Sequence, residues 1–265
     1  MSEQTIVFDD GAKTVLESWG TRGPAIVCVH GMTSSRKSWV RFAERFSDRY
    51  RVFAFDQRGH GDAAGVPGPM RLDRHVTDLI TVLRVAGHDV AAIAGHSWGG
   101  AVVILAGRDA PVRGVVAVDP MIYTPPGTWR REYLDDTEAL LAKAWPERSV
   151  AVREALAAWH PLDVEGKLHA IRHMTAEPIA RLGSENRVDE GGWNLRGAVA
   201  DYPKPLLICA AGPEDSVMSA EDAAFIRSQG GENVAIVAFP DQGHNLHRTA
   251  FDAFATEVAA FLKTL

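Results

Sequence analysis

A chain of 265 residues is long enough for one to two domains with a large buried core, and its 46% hydrophobic and 23% charged residues fit an ordinary globular protein rather than a disordered one. Its 28 Lys and Arg against 34 Asp and Glu give a net charge of −6 without a basic cluster, which excludes the electrostatic footprint of a nucleic-acid binder. No stretch approaches the about 18 uninterrupted apolar residues of a membrane span, and two cysteines exclude a Cys-rich zinc site.

The N-terminus, MSEQTIVFDD, carries acids where a secretory signal needs a basic region and an apolar run, so a protein that stays in the cytoplasm is expected. Gln4–Phe8 and Thr14–Trp19, split by Asp-Asp-Gly, predict an antiparallel hairpin. Apolar runs then recur at Pro24–Val29, Arg51–Phe55, Val90–Ala94, Val112–Val118, Pro205–Ala210 and Asn233–Phe239. Continuous runs of this length fit strands buried on both faces, as in a parallel sheet. Helical stretches fall between or after them: Ser38–Phe46, Leu72–Ala86, Trp98–Arg108, Ala220–Ser228 and His247–Leu262. The alternation predicts an α/β fold, a mostly parallel twisted sheet of about eight strands flanked by helices. Cys28 and Cys209, inside two of the apolar runs, are expected as buried thiols rather than a disulfide.

One connection is out of scale. About 80 residues, Met121 to Tyr202, separate two sheet strands, and their pattern is helical, with Pro146 suited to a first turn and a second helix expected over Val164–Met174. This predicts a core of residues 1–120 and 203–265 with a helical cap, or lid, at 121–202. Four of the seven tryptophans (Trp129, Trp145, Trp159, Trp193) fall in this segment. They either pack the insertion onto the sheet or form an apolar wall over a pocket.

The strongest chemical signal is Gly95-His96-Ser97-Trp98-Gly99-Gly100, directly after one predicted strand and opening the next helix. A serine in such a turn has strained backbone angles and crowded neighbours, and glycines two before and two after it remove the Cβ atoms that would clash. Its hydroxyl then stands above the sheet at the positive end of a helix dipole. A serine hydroxyl needs a base, and the base needs an orienting acid. Of ten histidines, His244 in Asp-Gln-Gly-His-Asn lies on the loop after the last strand and before the C-terminal helix, the position a base requires; His247 is its nearest rival. For the acid, Asp215 after the strand Pro205–Ala210 is the first choice. Asp119, after Val112–Val118, is the alternative because that strand end is adjacent across the sheet, and Glu214 is a weaker one. His96 is read as a framework residue. His169 and His173, four apart on an expected helix, have metal-ligand spacing but no obvious third ligand, and are expected on a solvated face. Gly59-His60-Gly61 is too short and wrongly placed for a dinucleotide fingerprint.

The order Ser97, Asp215, His244, together with Val29-His30-Gly31-Met32 and Asp56-Gln57-Arg58-Gly59-His60-Gly61, resembles the α/β-hydrolase fold superfamily in its lidded serine hydrolase branch, over nearly the whole chain. The resemblance implies that the backbone N–H groups of Met32 and Trp98 form the oxyanion hole. Asp62-Ala63 departs from the family's small polar residue after the Asp-x-x-Gly-x-Gly turn, a loop read as structural, with Asp56 and Arg58 fixing turns and His60 outside the chemistry. The expected activity is a serine hydrolase cleaving a carboxylic ester of a small or medium apolar substrate through an acyl-enzyme, with neither a metal nor an organic cofactor. The same triad serves lactonases, amidases or aminopeptidases, carbon–carbon bond hydrolases and perhydrolases, and a non-catalytic ligand receptor on the same fold is the alternative from a different class. The expected partner is a small-molecule acyl substrate, not nucleic acid or membrane.

Overall fold

The computed structural model describes residues 1–127, 131–188 and 190–265. In chain order, β1 (Ser2–Val7) and β2 (Lys13–Trp19) form the expected antiparallel hairpin, with Thr5 opposite Val15 and Gly11 at φ +83° in its turn. There follow β3 (Ala25–Val29), α1 (Val40–Phe46), β4 (Arg51–Phe55), α2 (Leu72–Ala86), β5 (Val90–His96), α3 (Trp98–Asp109) and β6 (Gly114–Val118). Five helices come next: α4 (Arg131–Ala142), α5 (Trp145–Ala155), α6 (Pro161–Ile171), α7 (Glu177–Glu185) and the short α8 (Arg196–Val199). The chain then returns through β7 (Leu206–Ala211), α9 (Ala220–Gln229), β8 (Val234–Phe239), α10 (Leu246–Thr249) and α11 (Phe251–Leu262). The expected C-terminal helix is therefore split at Ala250, whose φ of −115° and ψ of 39° are not helical.

The eight strands form one sheet in the order β1-β2-β4-β3-β5-β6-β7-β8, parallel from β4 to β8. Alternation along each strand builds two cores. Val27 and Val29 of β3 face α2 and α3, meeting Leu79, Val82, Val103 and Ile104. Ile26 and Cys28 face the other way, against Phe42 and Phe46 of α1 and Phe254 and Val258 of α11. Both cysteines are free and fully buried, on β3 and β7. No helix among the described residues is long and apolar enough to cross a membrane.

The inserted helices hold a small core of their own, with Leu141, Val152, Leu168, Ile171 and Met174. Helix α6 is fastened to the segment after β3. A Cβ on Gly166 would lie 2.9 Å from the Lys37 carbonyl oxygen, so the backbones touch there. Ser35 Oγ donates to the Gly166 carbonyl at 3.3 Å, His169 Nδ1 lies 3.0 Å from Ser35 Oγ, and Arg41 Nη1 meets Asp163 Oδ2 at 2.7 Å. The expectation of a solvated face for His169 and His173 is thus corrected for His169, which faces the core; His173 is exposed. Asp56, Asp62 and His169 converge closely enough to hold a cation. The Arg36 guanidinium lies among them, with Nη1 bonded to Asp56, 2.8 Å from Asp62 Oδ2 and 3.4 Å from His169 Nε2. Of the tryptophans, Trp193 packs on the core with Nε1–H donating to the Met121 carbonyl at 2.9 Å, and Trp145 is half-buried under Arg172. Trp129 lies outside the described residues.

Five histidines are buried, and burial holds all of them neutral. His30 and His60 are pushed down to about 3, and His75, His96 and His247 well below the usual 6.5. Because the unfolded chain binds these protons first, stability is fully present above pH 6.5 and is lost as pH falls towards the folded values, each histidine contributing up to about 1.4 kcal/mol per pH unit. Urea midpoints measured from pH 7.5 to 4.5 are expected to fall steeply below 6.5; a flat profile would show that these rings are not the acid-labile groups.

Candidate active site

The carboxyl ends of the parallel strands carry the chemistry, as the crevice rule for open α/β sheets anticipates. Ser97 sits in the turn from β5 into α3 at φ +57° and ψ −117°, a region that side-chain-bearing residues rarely occupy. The neighbouring glycines are sterically required: a Cβ on Gly95 would lie 2.1 Å from the Gly99 carbonyl oxygen, and one on Gly99 would lie 2.4 Å from that of Val29. The turn is tied to the next strand, since Ser97 N–H donates to the Val118 carbonyl at 2.9 Å and Met121 N–H donates to that of Ser97 at 3.3 Å.

His244 lies on the loop after β8, and its Nδ1–H donates to Asp119 Oδ2 at 2.6 Å. This corrects the expected order of preference for the acid. Asp215 does not reach the ring; its Oδ2 accepts the backbone N–H of His244 at 3.0 Å and packs against Gly243, where a Cβ would come within 2.5 Å of it. The physical reason is position across the sheet. β6 lies between β5 and β7, so its end places Asp119 beneath the imidazole, while the loop after β7 turns Asp215 under the main chain of residues 243–244. Asp119 is fully buried at φ +40°. Its carboxylate also accepts from Ser216 Oγ at 2.5 Å, Val217 N at 3.0 Å and Ala211 N at 3.3 Å, which fixes its orientation. A carboxylate only accepts, so it sets the His244 tautomer with the proton on Nδ1 and leaves Nε2 as a base. Glu214 is exposed on the surface of that loop.

His244 belongs to a run of three stacked rings: His96 lies 4.5 Å from His244 and 4.2 Å from His247, centroid to centroid. His96 Nε2 lies 2.9 Å from the His244 carbonyl oxygen, so it braces the loop. Burial keeps His96 and His247 neutral, so of the three only His244 has an acid on its ring.

Gly31 brings the segment after β3 against the turn; a Cβ there would lie 2.9 Å from that of Ser97, so Met32 stands beside the serine. Trp98 opens α3, and its N–H is among those with no acceptor inside the helix. Asp56 accepts the N–H groups of Arg36 at 2.7 Å and Asp62 at 2.9 Å, Arg58 is paired with Asp78 and Asp10, and His60 is buried with Nδ1 2.7 Å from the Arg58 carbonyl oxygen. All three are structural.

A cavity of about 550 Å³ opens over Ser97 and His244. Met121, Leu156 and Trp159 give it an apolar wall, so Trp159 of the insertion faces the pocket where Trp193 packs the core. Lys167 and Arg248 also line it. Burial lowers the Lys167 ammonium to about 7 and the Arg248 guanidinium to about 10. Neither was singled out from the sequence, where a lone cation on a helix reads as solvated; the one signal was the position of Arg248, a turn beyond His244.

Comparison with known proteins agrees with this architecture. A 2-(acetamidomethylene)succinate hydrolase of Mesorhizobium japonicum is 27% identical over 256 residues, 91% of this chain and 88% of that protein. The lipase LipV of Mycobacterium tuberculosis is 29% identical over 174 residues, 63% and 64% of the two chains. The solved structure of an N-formylmaleamic acid deformylase from Pseudomonas putida superposes with a TM-score of 0.78 at 18% identity, covering 97% of this chain and all of the other, a likeness of fold. The family model described as the alpha/beta hydrolase family matches residues 26–257, and the chain belongs to that family.

Proposed function

We propose that the protein is a serine hydrolase that cleaves a carboxylic ester through an acyl-enzyme, with residues 121–202 as its lid. The observation that carries this reading is the 2.6 Å contact between His244 and Asp119 beside a strained serine in the same cavity. Ser97 Oγ attacks the acyl carbon as its proton passes to His244 Nε2, and the N–H groups of Met32 and Trp98 receive the oxyanion. Losing one such donor typically costs about 3–4 kcal/mol of transition-state stabilisation. Collapse breaks the carbon–oxygen bond, and the leaving alcohol takes the proton from His244. A water that gives its proton to His244 then attacks the acyl carbon, releasing the acid and restoring Ser97. Asp119 orients the imidazole and stabilises its charged form.

An amide in place of the ester is the second reading. It is favoured by the relative of near-full length, whose named substrate carries an acetamide; His244 would then protonate a leaving nitrogen. The reading is tested by intact mass after fluorophosphonate treatment, with peptide mapping. A single adduct on Ser97, lost in His244→Ala, is expected. A folded protein without an adduct would overturn the proposal in favour of a ligand receptor. Rates on a matched p-nitrophenyl ester and p-nitroanilide then separate the two bond types.

A further inference from the structure

The two cations in the cavity wall are held by hydrogen bonds to neutral groups, which leave their charges unbalanced. Among the described residues three arginines are buried to below a tenth of their surface, and Arg36 and Arg58 each pair with two or more carboxylates. Arg248, 6% exposed, has no carboxylate within ion-pair distance among the described residues. Its Nη2 donates to Ser34 Oγ at 2.9 Å, its Nε to His247 Nε2 at 3.2 Å, and its guanidinium lies 4.8 Å from the centroid of Trp159. The nearby Asp163 is held by Arg41. Lys167 likewise has no carboxylate partner among the described residues; its Nζ donates to the carbonyl and hydroxyl oxygens of Thr33, both at 2.9 Å. A buried charge with only neutral partners is costly, and it is most easily retained where a ligand supplies the opposite charge.

We propose that Lys167 and Arg248 form an anion subsite that holds a carboxylate of the substrate, beside the acyl carbon that Ser97 attacks. This rests on the serine hydrolase reading above and narrows its substrate class from simple apolar esters to monoesters or monoamides of short dicarboxylic acids. The placement follows from the chain. Thr33 and Ser34, which accept from the two cations, come one and two residues after Met32, and the chain turns at Thr33, whose φ is +54°, so both cations are held by the segment that carries the oxyanion donor. A carboxylate on a short acyl chain is the group that fits between them and Ser97 in the same cavity. Asp215, the one carboxylate among the described lining residues, is engaged by the His244 backbone and lies against Gly243, and it pairs with neither cation. The apolar wall of Met121, Leu156 and Trp159 then accommodates the rest of the substrate.

The test is calorimetric binding of succinate and its uncharged counterpart succinamide to the Ser97→Ala protein. Succinate is expected to bind ~10- to 100-fold tighter, as charge-assisted hydrogen bonds imply, and Arg248→Met and Lys167→Met are each expected to remove most of that difference. In the unmodified enzyme, the ratio of kcat/KM for p-nitrophenyl hemisuccinate over p-nitrophenyl pentanoate should exceed ten and fall towards one in both variants. Lys167→Met, at a half-buried position, keeps the test decisive should Arg248→Met not fold. Equal binding of succinate and succinamide, or tighter binding of inorganic phosphate than of succinate, would overturn the proposal. Succinate binding without turnover of any ester or amide would leave the subsite standing and sink the hydrolase reading instead.

Discussion

Replacing Ser97 with alanine is expected to lower kcat on a p-nitrophenyl ester by about 10⁶-fold, because the nucleophile and its base act as a unit. A companion variant separates chemistry from structure. Ser97 occupies φ +57° and ψ −117°, a backbone conformation that costs about 1–3 kcal/mol for a residue with a side chain. Ser97→Gly relieves that strain and gives back about 0.5–1 kcal/mol in unfolded-chain entropy. The glycine variant should therefore be as inactive as the alanine variant yet roughly 1 kcal/mol more stable than the unmodified protein by urea denaturation. An alanine variant within tenfold of normal activity would remove Ser97 from the chemistry. A glycine variant less stable than the parent would show that the turn is not strained.

The second large effect distinguishes the two aspartates. Asp119→Asn should reduce kcat by about 10⁴-fold, the loss expected when the base is held in the wrong tautomer. The surroundings favour that outcome: Ser216 O–H and Ala211 N–H both donate to Oδ1, so an asparagine keeps its oxygen there and places its NH₂ at the Oδ2 position against the His244 ring, giving up the bond from Val217 N–H. Nδ1 would then have to accept, and the proton would sit on Nε2. Asp215→Asn keeps an acceptor for the His244 backbone N–H and should cost less than about tenfold. Steady-state kinetics of both variants on one ester decide the matter, and the reverse ranking would return the orienting role to Asp215.

The sheet and the position of Ser97 are legible because they depend on short-range patterns: apolar runs of strand length, and glycines that the turn needs at Gly95 and Gly99. His244 is legible by its place after the last strand. The choice between Asp119 and Asp215 is not, since both follow strands and both lie near His244. What separates them is which way each side chain leaves its loop, and that is set by contacts with Gly243 and Ser216 distant in the chain. Lys167 and Arg248 were illegible for a related reason. A cation on a helix looks solvated until the fold shows that it lines a cavity with neutral partners among the described residues. His169 deceived in the same way, because its helix presents it to Ser35 rather than to water.

The attachment of α6 has a practical meaning for anyone recombining parts of such enzymes. Gly166, Lys167 and His169 grip Ser35 and Thr33, and Asp163 grips Arg41, so one helix of the insertion is stitched into the segment that carries the Met32 amide. Grafting a foreign segment in place of residues 121–202 would cut all of these stitches together. The transplantable module is α6 along with residues 33–41, and a chimaera built on that boundary is expected to keep the segment after β3 in place while the remaining inserted helices are exchanged.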